Sequence, residues 1–379
     1  MTVPPMPRLT SLSHGAGCAC KLSLDELTTV LGGVAWPGHP DLLVGLASGD
    51  DAAVYRQGDG RALVATTDFF TPLVDDPHDW GAIAATNAVS DVYAMGGTPR
   101  LALNILGWPR DLPFDVLQQV LEGAAEVAAR AGYVVAGGHT IDSVEPIFGQ
   151  VVIGDVAEAD LTTNATARPG DDLLLTKAIG TGIVTTALKR SDLSASTAGG
   201  PLEVPSRAAV ASMTQLNAGA ADVARRVGAS AATDVTGFGL LGHLHRMAAA
   251  SGVMAVVDAA SVPLLPGVRG LLADGMVPGG SQRNADQAVR YLVGADGAPA
   301  GAGDGALPDA ATRLLLADAQ TSGGLLIACD PARTDEALAL LREAGCEAAA
   351  RVGHLAPADG TTAGTVRVDG AVDGADGAP

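Results

Sequence analysis

Short apolar runs alternate with amphipathic stretches along most of the 379-residue chain, and the change of period predicts where strands give way to helices. Arg61–Thr67 and Leu101–Leu106 read as strands, with a helix between them at about Trp80–Ala94. Pro113 opens a second helix whose apolar side is Leu117, Val120, Leu121, Ala124 and Val127, and Gly132 ends it. Tyr133–Ala136 and Phe148–Val156 complete the first set of strands. The turn Pro169-Gly170-Asp171-Asp172 marks a domain boundary, and beyond it the rhythm repeats. Strands are predicted at Leu173–Thr176, Val253–Asp258, Leu325–Ala328 and Ala350–Leu355, with a further apolar stretch at Leu314–Leu316. Helices are predicted near Gly182–Lys189, Ser206–Val227 and Thr334–Ala344. The segment Ala231–Thr236 lacks the large apolar residues of a buried strand. The pattern is α+β in two halves.

The margins read differently. Residues 1–20 are Pro-rich and then Gly-rich, without helix or strand periodicity, and read as a mobile arm; Ser23 can cap a short helix from Leu24 to Leu31. Gly294–Ala310 and Asp369–Pro379 are too rich in Gly, Ala, Asp and Pro to bury a core. The resulting division is an arm with its short helix at 1–40, a first domain at 41–168, a second at 169–360 and a loose tail at 361–379.

Hydrophobic residues make up 47% and charged residues 17% of the chain, as in a packed globular protein. The net charge of −19 argues against nucleic acid and anionic membranes as partners, since both repel such a surface. It also means that binding a nucleotide requires cations. No apolar run approaches the roughly 18 residues of a membrane span, and the N-terminus has no signal-peptide pattern. The four cysteines, Cys18, Cys20, Cys329 and Cys346, form neither a disulfide framework nor a zinc pattern. A reduced, cytoplasmic protein is expected.

Four kinds of motif bear chemistry. Gly15-Ala-Gly-Cys18-Ala-Cys20-Lys21 sets thiols beside one of only three lysines, and a neighbouring cation favours the reactive thiolate. An incidental Cys pair in an arm, or adventitious binding of a soft metal, accounts for the spacing equally well. Aspartates recur at the edges of apolar runs: Asp50-Asp51, Asp68, Asp91 and Asp234. Neighbouring carboxylates repel unless solvated, hydrogen-bonded or bound to cations, and hard oxygen ligands suit Mg²⁺ on phosphates. Asn87 and Asp91, four apart on a helix, share a face. Taken singly, each aspartate is better explained as a turn or cap residue.

Gly137-Gly138-His139-Thr140 and Thr321-Ser322-Gly323-Gly324 are glycine-rich segments whose amides can cradle phosphate, although either one alone is better explained as an ordinary tight turn. Gly237-Phe-Gly239-Leu-Leu-Gly242 matches the dinucleotide fingerprint, with Asp258 about twenty residues on. The missing strand before it weakens that match. No P-loop is present.

Taken together, these segments resemble the selenophosphate synthetase (selenide, water dikinase) family. The resemblance is carried by Ser13-His-Gly-Ala-Gly-Cys18-Ala-Cys20-Lys21, Asp50-Asp51-Ala-Ala-Val-Tyr55, Thr66-Thr-Asp68-Phe-Phe70 and Ala84-Ala-Thr-Asn87-Ala-Val-Ser-Asp91 with Ala94-Met-Gly-Gly97. It continues through Gly137-Gly-His-Thr140-Ile-Asp142, Thr233-Asp-Val-Thr-Gly-Phe-Gly-Leu-Leu-Gly-His243, Pro278-Gly-Gly280 and Gln320-Thr-Ser-Gly-Gly324. The likeness is collinear from about residue 8 to about residue 355.

The resemblance implies an α+β, two-domain aminoimidazole ribonucleotide synthetase-like fold. Its first domain pairs in a homodimer with a β-barrel-like core, and its second is an α+β sandwich. The implied reaction turns ATP, selenide and water into selenophosphate, AMP and phosphate, with Mg²⁺ and K⁺, and supplies activated selenium for selenoproteins and selenonucleosides. Selenide arrives free or from a selenium-delivering protein.

By motif match, Cys18 is the catalytic cysteine and Lys21 the essential lysine. Asp51, Asp91 and Asp234 are the Mg²⁺ ligands, and Asp91 also faces the nucleotide. Ser48, Gly49, Asp50 and Asp68 bind ATP with Lys21, and Gly138, His139 and Thr140 are contributed by the partner subunit. The chain departs from the pattern at Ser48-Gly49, where some relatives carry a basic residue, which implies a weaker phosphate contact. Thr140 replaces a common serine, and Gly294–Ala310 is an insertion expected on the surface.

Three rivals are a thiamine-phosphate kinase or hydrogenase-maturation enzyme on the same fold, a soft-metal or selenium carrier, and an NAD-dependent oxidoreductase. The Cys-x-Cys-Lys arm argues against the first, the aspartate blocks against the second, and the weak fingerprint against the third.

Overall fold

The computed structural model describes residues 8–13, 29–46, 49–298 and 307–372. Six strands form the first sheet: β1 (Leu42–Val44), β2 (Ala53–Gly58), β3 (Arg61–Phe70), β4 (Thr98–Trp108), β5 (Val134–Asp142) and β6 (Ile147–Ala157), in the order β1-β2-β3-β6-β4-β5. Neighbours are antiparallel except β4 and β5, which are parallel and joined through a helix, as a parallel pair requires. The sheet is open, with β1 and β5 at its edges, so the barrel-like core expected of this domain is not closed within one chain.

Helices α1 (Pro77–Ala94) and α2 (Phe114–Ala131) pack together behind it. α2 has a single apolar stripe, whereas α1 is buried nearly all round. The reason is position: α1 lies on β3 and β6 on one side and meets the second domain on the other. A helix covered on every side must be small and apolar throughout, and Gly81-Ala-Ile-Ala-Ala-Thr-Asn-Ala-Val-Ser fits that demand.

The second sheet has seven strands: β7 (Asp172–Leu175), β8 (Ala231–Asp234), β9 (Met254–Asp258), β10 (Leu292–Val293), β11 (Leu325–Cys329), β12 (Ala350–Ala356) and β13 (Val366–Asp369). Their order is β10-β13-β9-β12-β7-β11-β8. Helices α3 (Thr181–Arg190), α4 (Glu203–Thr214), α5 (Ala218–Val227), α6 (Gly239–Ser251), α7 (Val268–Ala273), α8 (Gly279–Ala288), α9 (Ala310–Leu316) and α10 (Thr334–Glu343) complete the domain. The unbroken apolar run of β11 serves two cores. Leu326 and Ala328 join the cluster with Leu240 and Leu244 of α6, and Leu325, Ile327 and Cys329 join the one with Val223 of α5 and Leu341 of α10.

Several expectations need correction. Ala231–Asp234 is a strand, fully buried at the sheet edge, because small side chains suffice where helices crowd both faces. The helix expected over Ser206–Val227 is two, broken at 215–217, and Leu314–Leu316 ends a short helix. Residues 366–369 of the expected tail are β13, paired with β9 and β10. Leu9 and Thr10, within the expected arm, are wholly buried, and Arg8 pairs with Asp75 at 3.1 Å. Within the expected 24–31 helix, residues 29–31 are helical; 24–28 lie outside the described residues, as do 299–306 of the insertion. No helix among the described residues is long and apolar enough to cross a membrane.

Candidate active site

The carboxylates singled out by the sequence meet where the two domains face each other. Asp50 and Asp51 lie on the approach to β2, Asp68 on β3, Asp91 on α1 and Asp234 at the end of β8. Asp51 crosses to the second domain: its Oδ1 accepts from Thr233 Oγ1 at 2.8 Å. Its Oδ2 is buried with no hydrogen-bond partner among the described residues. Burial, followed by the repulsion of Asp234, Asp50 and Asp91, pushes the Asp51 carboxyl well above the ordinary carboxylate range. Asp50 is raised as well, chiefly by burial, although it accepts from the amides of Asp51 at 3.0 Å and Asn164 at 3.2 Å.

Asp91 Oδ2 accepts from Thr66 Oγ1 on β3. One helical turn earlier, Asn87 Nδ2 donates to Asp68 Oδ2 at 2.7 Å, which fixes that buried carboxylate. Asn87 Oδ1 in turn accepts from the Ser322 amide at 2.7 Å, across the domain boundary. Ser322 is a non-glycine residue at φ 50°, fully buried. Its carbonyl takes a hydrogen bond from Lys177 Nζ at 2.9 Å, and Lys177 also donates to Gln215 O at 2.7 Å. Asn217 Nδ2 ties Ser90 Oγ at 2.8 Å to Gly323 O at 2.9 Å. Gln320-Thr321-Ser322-Gly323 is thus a strut between the domains; the Ser322 amide is engaged by protein.

Gly138, His139 and Thr140 lie within β5 rather than in a loop after it, and all are exposed. A Cβ on Gly138 would stand 2.1 Å from Asn104 O on β4, so the strand pairing itself demands glycine. The Gly237–Gly242 segment does join a strand to a helix, β8 to α6, but the Thr236 amide within that turn is taken by His243 Nε2 at 3.1 Å. Cys18, Cys20, Lys21 and Ser48 lie outside the described residues.

Among the described residues, the one trio of His, Cys, Asp or Glu with ligand atoms within 4.8 Å of one another is Asp76, His78 and Asp79. Asp76 is occupied there in capping α1, accepting from Asp79 N at 2.9 Å. The site carboxylates are spaced more widely. Sequence reasoning missed Lys177, Asn164 and Asn217 as site-building residues, and also Arg246, whose positive charge acts on Asp51 and Asp50. Only Lys177 carried a signal, as one of three lysines in the chain.

Profiles of the AIR synthase related proteins match the chain, the N-terminal domain over residues 49–156 and the C-terminal domain over residues 168–365. Crystal structures share the fold. The thiamine-monophosphate kinase of Stenotrophomonas maltophilia K279a aligns at a TM-score of 0.60 and 22% identity, over 95% of this chain and 100% of that one. The hydrogenase maturation protein HypE in complex with ATP aligns at 0.59 and 19%, over 96% and 94%. At such identities the likeness is one of fold alone.

The selenide, water dikinase of Burkholderia ambifaria (strain MC40-6) is 48% identical over 357 residues, 94% of this chain and 96% of the relative. That of Shewanella sp. (strain MR-7) is 47% identical over 336 residues, 88% and 90%. Fold and matched domains make this an AIR synthase related protein, two α+β domains facing across a carboxylate-lined site. Within that class, the chain belongs to the selenide, water dikinase family.

Proposed function

We propose that the chain makes selenophosphate, AMP and orthophosphate from selenide, ATP and water, at the carboxylates gathered between the two domains. The observation that carries this reading is Asp51. A buried carboxylate oxygen without a donor, repelled by Asp234, Asp50 and Asp91, is a costly arrangement for the bare protein. It is a favourable one for a hard divalent cation.

Asp51, Asp91 and Asp234 are the residues that would hold Mg²⁺. When bound, the metal neutralises polyphosphate charge and stabilises the charge that develops during phosphoryl transfer. K⁺ belongs to the same reading.

The chain's own groups supply binding and orientation. Asp68, locked by Asn87, is a fixed acceptor for the nucleotide, with Ser48, Gly49, Asp50 and Asp91 beside it. Selenide attacks the γ-phosphorus and ADP departs; water then cleaves the β-phosphate, leaving AMP and orthophosphate. Bringing an anionic nucleophile to a tetra-anionic nucleotide needs positive charge, which Lys21 adds from the N-terminal arm while Cys18 handles selenide. An arm closed over the site keeps water from the γ-phosphate during the first transfer. Gly138, His139 and Thr140 on the exposed strand β5 serve the site of a second copy, in a homodimer.

³¹P NMR of the reaction tests the proposal. Purified protein with Mg·ATP under reducing conditions is expected to form AMP, orthophosphate and selenophosphate only when selenide is present. ADP as the end product, or equal ATP consumption without selenide, refutes it.

A further inference from the structure

Gly49 has a left-handed backbone, φ +59°, and the space where its side chain would stand is filled from the other domain. A Cβ there would lie 2.3 Å from Nη2 of Arg246, a residue of α6. The guanidinium is half-buried, and its Cζ sits 5.2 Å from the centre of the Phe238 ring, which orients it. Burial lowers its pKa, while Asp51 and then Asp50 favour the charged form. Among the described residues, none of its hydrogen bonds or ion pairs is with a carboxylate within 4 Å.

A stacked guanidinium offers a flat fork of N–H donors, and the natural partner of a fork left without a carboxylate is phosphate. The neutral Ser48-Gly49 pair implied a weakened phosphate contact. The geometry instead leaves room at Gly49 so that a cation from the second domain can stand at the rim of the Asp50–Asp51 pair.

We infer that Arg246, reaching across the domain boundary over Gly49, is a nucleotide-binding residue whose guanidinium takes the polyphosphate. The inference rests on the proposed reaction for the identity of the nucleotide. It adds to the contacts of the first domain one from α6 of the second.

The test is direct titration of the full chain with Mg²⁺ and the non-hydrolysable analogue AMPPCP, followed by calorimetry. Arg246→Gln is expected to weaken binding about tenfold or more, the loss of one charge-assisted contact. Arg246→Lys, which keeps the charge, should lose less. Binding by Arg246→Gln within twofold of wild type overturns the inference, and so does a loss in both Arg246 variants that merely follows a fallen melting temperature. AMPPCP binding does not depend on selenide. A wild-type protein that binds the analogue but forms no AMP with selenide defeats the proposed reaction and leaves the role of Arg246 standing.

Discussion

Lys177 holds Ser322: its buried ammonium donates to the Ser322 carbonyl at 2.9 Å. That bond supports a serine kept in the left-handed region at φ 50°, a conformation that costs a non-glycine residue about 1–2 kcal/mol. The same serine's amide reaches Asn87, and Asn87 reaches Asp68. A lysine deep in the second domain is thereby connected, through three hydrogen bonds, to a carboxylate of the first.

Lys177→Met should expose what this bond does. The buried Ser322 carbonyl loses its donor, at about 1–3 kcal/mol, and the partly exposed Gln215 carbonyl loses one at less cost, partly offset by removing a buried charge. Burial lowers Lys177 to about 7, against 10.5 for an exposed lysine. Between those values the unfolded chain binds more protons, so the residue makes stability rise as pH climbs from about 7 to about 10.5, and it adds nothing to the slope below. Urea unfolding at pH 7 and about 9.5 is expected to show wild type gaining more than the variant. Equal gains would mean that the lysine titrates normally.

Asp51→Asn separates the fold from the chemistry. Asparagine keeps an oxygen for Thr233 and removes a charge that burial and three carboxylates disfavour. Without Mg²⁺ the variant should melt a few degrees above wild type, the scale of about 1 kcal/mol in a chain of this size. Mg²⁺ should raise the melting temperature of wild type only, and selenide-dependent AMP formation should fall about 100-fold or more in the variant. A variant that melts lower without metal, or gains as much from Mg²⁺ as wild type, would place the cation elsewhere.

How much of this was legible depended on side-chain size and on contact order. β3 and β6 announce themselves through apolar runs that pair over ten residues, and α2 through its stripe. β8 did not, because Ala231, Ala232, Thr233 and Asp234 are buried by neighbours rather than by their own bulk. The aspartates could be found as a set, since each edges an apolar run. The partners that fix them could not: Thr233 to Asp51 spans 182 positions and Ser322 to Asn87 spans 235. No local pattern carries that information. Gly49 is the sharpest case, an apparent loss in the sequence that is a space occupied by Arg246 in the fold.

Asn87→Ala tests the strut from its middle. It strips the Asp68 carboxylate of a donor and the Ser322 amide of an acceptor, both buried. Alanine suits a helix interior, so α1 itself should persist. The expected outcome is a KM for ATP raised about tenfold, with a stability loss of about 2–4 kcal/mol from the two broken hydrogen bonds. An unchanged KM in a folded variant would remove Asp68 from the nucleotide site.

The last prediction concerns β5. All nine of its residues are exposed at the open edge of the first sheet, among them Val134 at 64% and Ile141 at 57%. An exposed edge strand with apolar side chains invites pairing, and nothing among the described residues covers it. If a second copy does so, light scattering should give twice the chain mass, and Val134→Glu/Ile141→Glu should give monomers by setting like charges against each other across the interface. Those side chains point away from any core, so the monomer should stay folded by circular dichroism. It should nevertheless lose activity, because Gly138, His139 and Thr140 share the strand and would no longer reach a neighbouring site. A double variant that remains dimeric, or a monomer as active as wild type, would show that β5 neither joins two copies nor completes the site.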